Sequence, residues 1–252
     1  MNILITICGR AGSKGVKNKN IRNFLGRPLV DFTIGAASLF KEKNKDKGHD
    51  IDICINSDST ELLKIAELND VTGIKRPEEL AQDDSAKILV IKHSLNYMEE
   101  KLGKRYDFVI DLDITSPLRK VDDIEDALNK SIENKEADVV FSVVNSRRNP
   151  YFNMVEVANG QIRKIKDSNF VARQQAPRVY DMNASIYCFK RDSLIERLKD
   201  SVFDGVCDII LMKDTAVLDI DSEEDFELMS ILGEYFLREE YKEIKKYLKI
   251  NI

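Results

Sequence analysis

The chain opens on an unbroken apolar run. Residues Asn2–Cys8 are mostly β-branched, and such a run predicts a strand buried on both faces. After a loop over 9–26, Pro28 stands at a helix start and apolar residues recur at helical spacing over 29–40. A charged linker over 41–50 leads to a strand at 51–56, and Ser57-Asp58-Ser59 offers caps for a helix running to Glu67. A short strand at 72–75, a loop over 76–84 and a long helix over 85–102 follow, with Asp84-Ser85 as the expected cap. Next come a strand at 106–112, a loop over 113–120, a helix over 121–134 and a strand at 138–144. This alternation predicts an α/β fold, with a mostly parallel, Rossmann-like sheet flanked by helices.

The rhythm breaks over 147–182. Residues 152–157 and 161–165 flank Asn159-Gly160, which predicts a β-hairpin, and 167–181 is polar with no core-forming period. The main pattern resumes with a strand at 184–189, a helix at 192–199, a strand at 208–212, an apolar run over 215–220 and a long helix from Ser222. We therefore divide the chain into one α/β domain, 1–146 with 183–252, and an inserted arm, 147–182. The hairpin residues Phe152, Met154, Val157 and Ile162 have too little local chain to bury them. A lone hairpin is marginal in water, so the arm predicts dimerisation, in a homodimer with a self-complementary contact.

Composition narrows the chemistry. Among 252 residues, 43% are hydrophobic, which excludes disorder over most of the chain. The net charge of −5 argues against nucleic acid as a partner, and no apolar run approaches the roughly 20 residues that span a bilayer. The N-terminus lacks a basic start and a small-residue cleavage site, so no signal peptide is expected. Cys8, Cys54, Cys188 and Cys207 form no CxxC pair and sit in apolar runs, as free thiols do in a reducing compartment. A cytoplasmic protein is the expectation. His49 and His93 lie in a charged linker and on a helical segment, so chemistry must run on carboxylates, cations, backbone amides and a metal.

The loop Cys8-Gly9-Arg10-Ala11-Gly12-Ser13-Lys14-Gly15-Val16-Lys17-Asn18-Lys19-Asn20 carries most of the information. Gly9, Gly12 and Gly15 fall within seven positions of a chain holding 11 glycines. Such glycines let backbone approach a ligand, and exposed amides form an anion nest. Arg10, Lys14, Lys17 and Lys19 add positive charge in an acidic protein. A strand followed by a basic, glycine-rich loop is where parallel α/β sheets bind phosphorylated ligands. The spacing fits neither a Walker A loop, since Val16 stands where lysine belongs, nor a GxGxxG fingerprint, since residue 11 is alanine.

This loop resembles the nucleotide-binding signature of the acylneuraminate cytidylyltransferase family, A-R-x-G-S-K-G-x-x-x-K-N, with Gly9 in place of the usual alanine. Three further segments are similar to the family's in the same order. Arg76-Pro77 through Ser85 resembles its R-P-x-x-L-A-x-D-x-S stretch beside the cytosine. Thr115-Ser116-Pro117-Leu118-Arg119 resembles its T-S-P-L-R. Asp219-Ile220-Asp221-Ser222 through Asp225 resembles its D-I-D-[ST]-x-x-D. The arm residues Arg173-Gln174 and Asn183 resemble its R-Q…N segment, which crosses to a second subunit.

The resemblance implies coupling of CTP to a nonulosonic acid, a sialic-acid-like sugar, giving a CMP-sugar and pyrophosphate. It implies Gly12, Ser13, Lys14, Gly15, Asn20, Arg76 and Ser85 at CTP, and Arg10 and Lys19 as catalytic cations. Asp219 and Asp221 would be catalytic ligands of Mg²⁺ or Mn²⁺, and Asp113, Thr115, Ser116, Arg173, Gln174 and Asn183 would lie at the sugar, with Arg178 a second cation for its carboxylate.

Residue chemistry leaves alternatives. Asp219 and Asp221 share one face of an extended segment, as a metal pair would, but the same acidic run with Ser222 and Asp225 reads as a helix start. Asp111 and Asp113 also alternate, and Asp113 is either a D-x-D metal ligand or a sugar contact standing where the family has glutamine. A carboxylate there accepts hydrogen bonds but does not donate them. That disfavours an N-acyl carbonyl and a plain sialic acid, and fits a bacterial relative such as legionaminic acid. The rival readings are a nucleotidyltransferase for another sugar, such as a 3-deoxy-octulosonate, and a non-catalytic nucleotide-binding protein.

Overall fold

A computed structural model describes residues 1–12 and 15–251. In chain order the elements are β1 (Asn2–Cys8), β2 (Asn23–Phe24), β3 (Arg27–Pro28), α1 (Leu29–Asn44), β4 (Asp50–Ser57), α2 (Thr60–Leu68), β5 (Thr72–Lys75), α3 (Lys87–Leu102), β6 (Phe108–Leu112), α4 (Val121–Glu133) and β7 (Val139–Asn145). Then follow β8 (Val155–Ala158), β9 (Gln161–Lys164), β10 (Tyr180–Lys190), α5 (Arg191–Glu196), β11 (Cys207–Leu211), α6 (Glu223–Glu239) and α7 (Lys242–Leu248). Seven strands form the main sheet in the order β11-β7-β10-β6-β1-β4-β5. All neighbours are parallel except β10, which runs antiparallel to both β6 and β7.

Strand β1 shows how the layers arise. Its side chains alternate, so Ile3, Ile5 and Ile7 enter one core with residues of α1, α4, α6 and α7, while Leu4 enters the other with residues of α3 and α5. Both faces are sealed, as the continuous apolar run predicts. Chain connections leave β1 for β4 on one side and reach β6 on the other, so the sheet's switch point lies between β1 and β6. Loops leaving the carboxyl ends of these two strands meet there, where open α/β sheets bind ligands.

The hairpin β8–β9 forms around Asn159 (φ 53°) and Gly160 (φ 77°), the left-handed pair a tight two-residue turn requires. Val157 and Ile162 face each other across it and are each 75% exposed. Strand β10 reaches back to Tyr180 and pairs there with β7, so the last three residues of the 147–182 segment already belong to the sheet.

Two local expectations need correction. Residues 215–220 are not extended: a 3-10 turn spans Asp214–Val217 and irregular chain follows to Asp221, where Ile220 N donates to Thr115 O at 3.0 Å. Asp219 and Asp221 therefore do not share a strand face. Nor does Ser85 cap α3. Its hydroxyl donates to Glu79 O at 3.0 Å, closing the preceding loop, and Ala86 takes the cap position.

Candidate active site

Beyond Cys8, the loop folds back over the ends of β1 and β4. Gly9 N donates to Asn56 O at 3.1 Å, Asn20 Nδ2 to Arg10 O at 3.1 Å, and Val16 is fully buried. These contacts pin a loop that otherwise exposes cations. A cleft of about 310 Å³ opens between it and the ends of β6 and the 219–221 segment. Arg10, Gly15, Lys19 and Asn20 line one side; Asp113, Thr115 and Asp221 line the other.

Gly15 makes the two sides meet. A Cβ built there would fall 1.8 Å from Asp221 O, so only glycine admits this approach. Gly12 takes φ +72°, the left-handed conformation glycine adopts without strain. Lys19 spans the gap, its Nζ donating to Ile220 O and lying 3.0 Å from Asp221 Oδ1. Burial, then the charges of Asp221 and Asp113, hold the Asp219 carboxyl above its ordinary pKa.

The loop donors carry internal acidic partners. Arg10 pairs with Asp83, and Ala11 N donates to Asp58 Oδ1 at 2.8 Å.

The floor is an ion cluster. Asp111 is fully buried, accepts from Thr6 Oγ1 at 2.7 Å, and lies 2.8 Å from Lys87 Nζ. Asp113 lies 2.7 Å from the same ammonium and accepts at 2.9 Å from both Thr115 N and Thr115 Oγ1. Burial raises the Asp113 carboxyl, but the Lys87 charge and these hydrogen bonds outweigh it, holding the carboxyl well below the usual range. Burial likewise lowers Lys87, and Asp111 and Asp113 more than reverse it. The two aspartates do point the same way, as the alternation predicts, and the cation between them is the chain's own lysine. Arg119, fully buried, donates to the carbonyls of Asp113 and Ser116 and so braces the loop; burial lowers its pKa to about 10.

The other candidates divide. Arg76 is buried and spends its guanidinium on Asn56, donating to Oδ1 at 2.9 Å and to O at 2.8 Å, so it ties the β5 end to β4. Ser116 donates to Asn183 O at 3.3 Å. Asn183 is buried, accepts from Ser142 Oγ at 2.6 Å and donates to Ala216 O at 3.0 Å, so its amide is used inside the protein. Arg173, Gln174 and Arg178 line a different hollow of about 490 Å³ that shares no lining residue with the cleft. Ser13 and Lys14 lie outside the described residues. Sequence reading singled out neither Lys87 nor Asp58, and it met Asp83 only as the aspartate of the Arg76–Ser85 segment. Asp58 carried a signal, standing just past the carboxyl end of a predicted strand; Lys87 carried none.

Comparison with known proteins accords with this geometry. The cytidylyltransferase family profile matches residues 4–244. The chain is 42% identical over 234 residues to the CMP-N,N'-diacetyllegionaminic acid synthase of Campylobacter jejuni, covering 91% of this chain and 94% of that one. It is also 42% identical, over the same shares, to the post-translational flagellin modification protein B of Campylobacter coli. A CMP-2-keto-3-deoxy-manno-octonic acid synthetase solved with CTP superposes with a TM-score of 0.66 at 13% identity, over 93% of this chain and 99% of that one, which shows a shared fold. With its glycine loop facing Asp113 and Asp221 across a cleft at the sheet's switch point, the chain belongs to the cytidylyltransferase family, and it is a nucleotidyltransferase.

Proposed function

We propose that the protein couples CTP to a nonulosonic acid of the legionaminic type, releasing pyrophosphate. The observation that carries this reading is the cleft where loop cations and amides face Asp113 and Asp221, in a chain 42% identical to a named legionaminic acid synthase. The anomeric hydroxyl attacks the α-phosphorus of CTP. Arg10, Lys19 and the amides around Gly12 and Gly15 hold the phosphates, offsetting repulsion from the sugar carboxylate.

Asp219 and Asp221 suit a divalent cation. Among the described residues no group of three or more His, Cys, Asp or Glu forms a metal site. Mg²⁺, however, is bound through one or two carboxylates plus substrate phosphates, keeping several waters. The crowding of Asp219 by Asp221 and Asp113 is what a cation relieves. Held by Asp219 and Asp221, such a cation would supply neutralisation of charge on the leaving oxygens. Pyrophosphate release from CTP is expected with nonulosonic acids, absent with 3-deoxy-octulosonate, and abolished by excess chelator. Turnover undiminished by chelator would remove the metal from the scheme.

We propose a homodimer through the arm, with Arg173, Gln174 and Arg178 serving the partner's sugar site, since they do not reach the cleft of their own chain. Val157 and Ile162 form its exposed apolar surface. The double substitution Val157→Glu, Ile162→Glu should halve the mass by light scattering and reduce turnover together. A monomeric, fully active unaltered protein would contradict this assembly. No helix among the described residues is long and apolar enough to cross a membrane.

A further inference from the structure

Lys87 lies outside every motif described above. It is the first residue of α3, and its cap, Ala86, offers no side-chain acceptor. A cation there opposes the helix dipole, so helix stability does not account for it. An ammonium has three N–H groups. Here one donates to Asp113 Oδ2 at 2.7 Å, and a second is drawn toward Asp111 Oδ2, which lies 2.8 Å from the nitrogen as an ion pair without hydrogen-bond alignment. No acceptor meets the third among the described residues; the Tyr187 ring centroid is 5.6 Å away. The side chain is 36% exposed, beside the cleft that Asp113 lines, so the third N–H is open to a ligand.

We propose that Lys87 is a specificity-determining residue of the sugar site: aimed by Asp111 and Asp113, its third N–H donates to an amide carbonyl of an N-acylated sugar acid. This rests on the nonulosonate reading above. It also reverses the expectation drawn from Asp113 alone. A carboxylate offers no donor, but here it holds an ammonium that does. Where a neutral amide carries donor and acceptor on one side chain, this site divides them between two elements, the end of β6 and the start of α3. The ligand class is an N-acyl sugar acid, and the discriminated group is the acyl carbonyl.

The test is pyrophosphate-release kinetics with CTP and pairs of nonulosonic acids differing at C5 or C7 in acetamido against hydroxyl. The unaltered protein should favour acetamido at one of these positions. Lys87→Met alone leaves two carboxylates without a counter-charge, so it is paired with Asp111→Asn, which neutralises the fully buried one and leaves Asp113 on its Thr115 hydrogen bonds. Lys87→Arg keeps the charge but replaces a compact donor with a planar one. The acetamido preference should fall roughly 10- to 100-fold in Lys87→Met/Asp111→Asn, the loss of one hydrogen bond to a charged group. The change should appear in the KM for the sugar, with the KM for CTP unmoved. Lys87→Arg should fold and lose part of the preference. A folded variant of either kind with the original preference overturns the proposal. So does a loss shared equally by CTP and every sugar, which marks a structural role. An unaltered protein inactive with all nonulosonic acids sinks the functional reading and this one together, whereas an unchanged preference in a working enzyme sinks only this one.

Discussion

Asp221→Asn is expected to lower turnover by about two orders of magnitude or more, with the melting temperature within a few degrees of the parent. The catalytic loss follows from removing one of two carboxylates able to hold a cation against the phosphates; losing a single transition-state electrostatic contact costs about 10²- to 10³-fold. The small stability effect follows from exposure. The Asp221 side chain is 74% exposed, and among the described residues its carboxylate meets only Lys19. An exposed pair contributes about 0–1 kcal/mol, which moves Tm by about 2–4 °C in a chain of this size. The helix-start reading of the acidic run is carried by other residues. Ser222 accepts from Asp225 N at 3.1 Å, and Asp225 Oδ2 accepts from Ser222 N at 2.8 Å. Asp225→Asn is thus the change expected to weaken α6. Thermal melts and steady-state rates on both variants separate the roles. If Asp221→Asn unfolds while Asp225→Asn does not, the assignment is wrong.

Gly15→Ala should lower kcat/KM for CTP on the order of 10²-fold. The new methyl would lie 1.8 Å from Asp221 O and 3.0 Å from Asp221 C, both backbone atoms that no rotamer change can clear. Buried Val16 holds the loop from the next position, so the strain separates the loop from the 219–221 segment. Misplacing reacting groups by about 1 Å costs about 10²-fold. Gly12→Ala is the contrasting case. Among the described residues its Cβ would meet nothing within 4 Å, so the left-handed φ of +72° carries the penalty, about 1–2 kcal/mol. Activity of Gly15→Ala equal to that of Gly12→Ala would show that the close approach has no part in turnover.

Local chemistry determined much of this protein. The β-branched run of β1 seals both faces of the sheet wherever that strand is placed. Asn159-Gly160 supplies left-handed φ values, so the hairpin turn forms from its own residues. Ser59, which accepts from Leu62 N at 3.2 Å, and Ser222 with Asp225 cap their helices through contacts three residues long. The glycines and cations of the first loop led to the expectation of an anion site for the same reason, since their chemistry is carried within one short segment.

Tertiary structure decided what depends on contacts between distant segments. Lys87 meets Asp111 and Asp113 only because α3 and β6 are brought to one edge, and no spacing rule encodes that meeting. Arg76 is tied to β4 because that strand lies beside it and Asn56 accepts from its Nε and Nη2. The antiparallel course of β10 follows from the arm, which returns the chain to the sheet between β6 and β7 at the end where β7 leaves it. The 219–221 segment has apolar alternation but no strand edge to pair with. Its amide at Ile220 goes to the Thr115 carbonyl instead, and that one long-range bond places Asp221 over Gly15. Periodicity reports which face of an element is apolar; which partner that element finds is set by the packing of the whole chain.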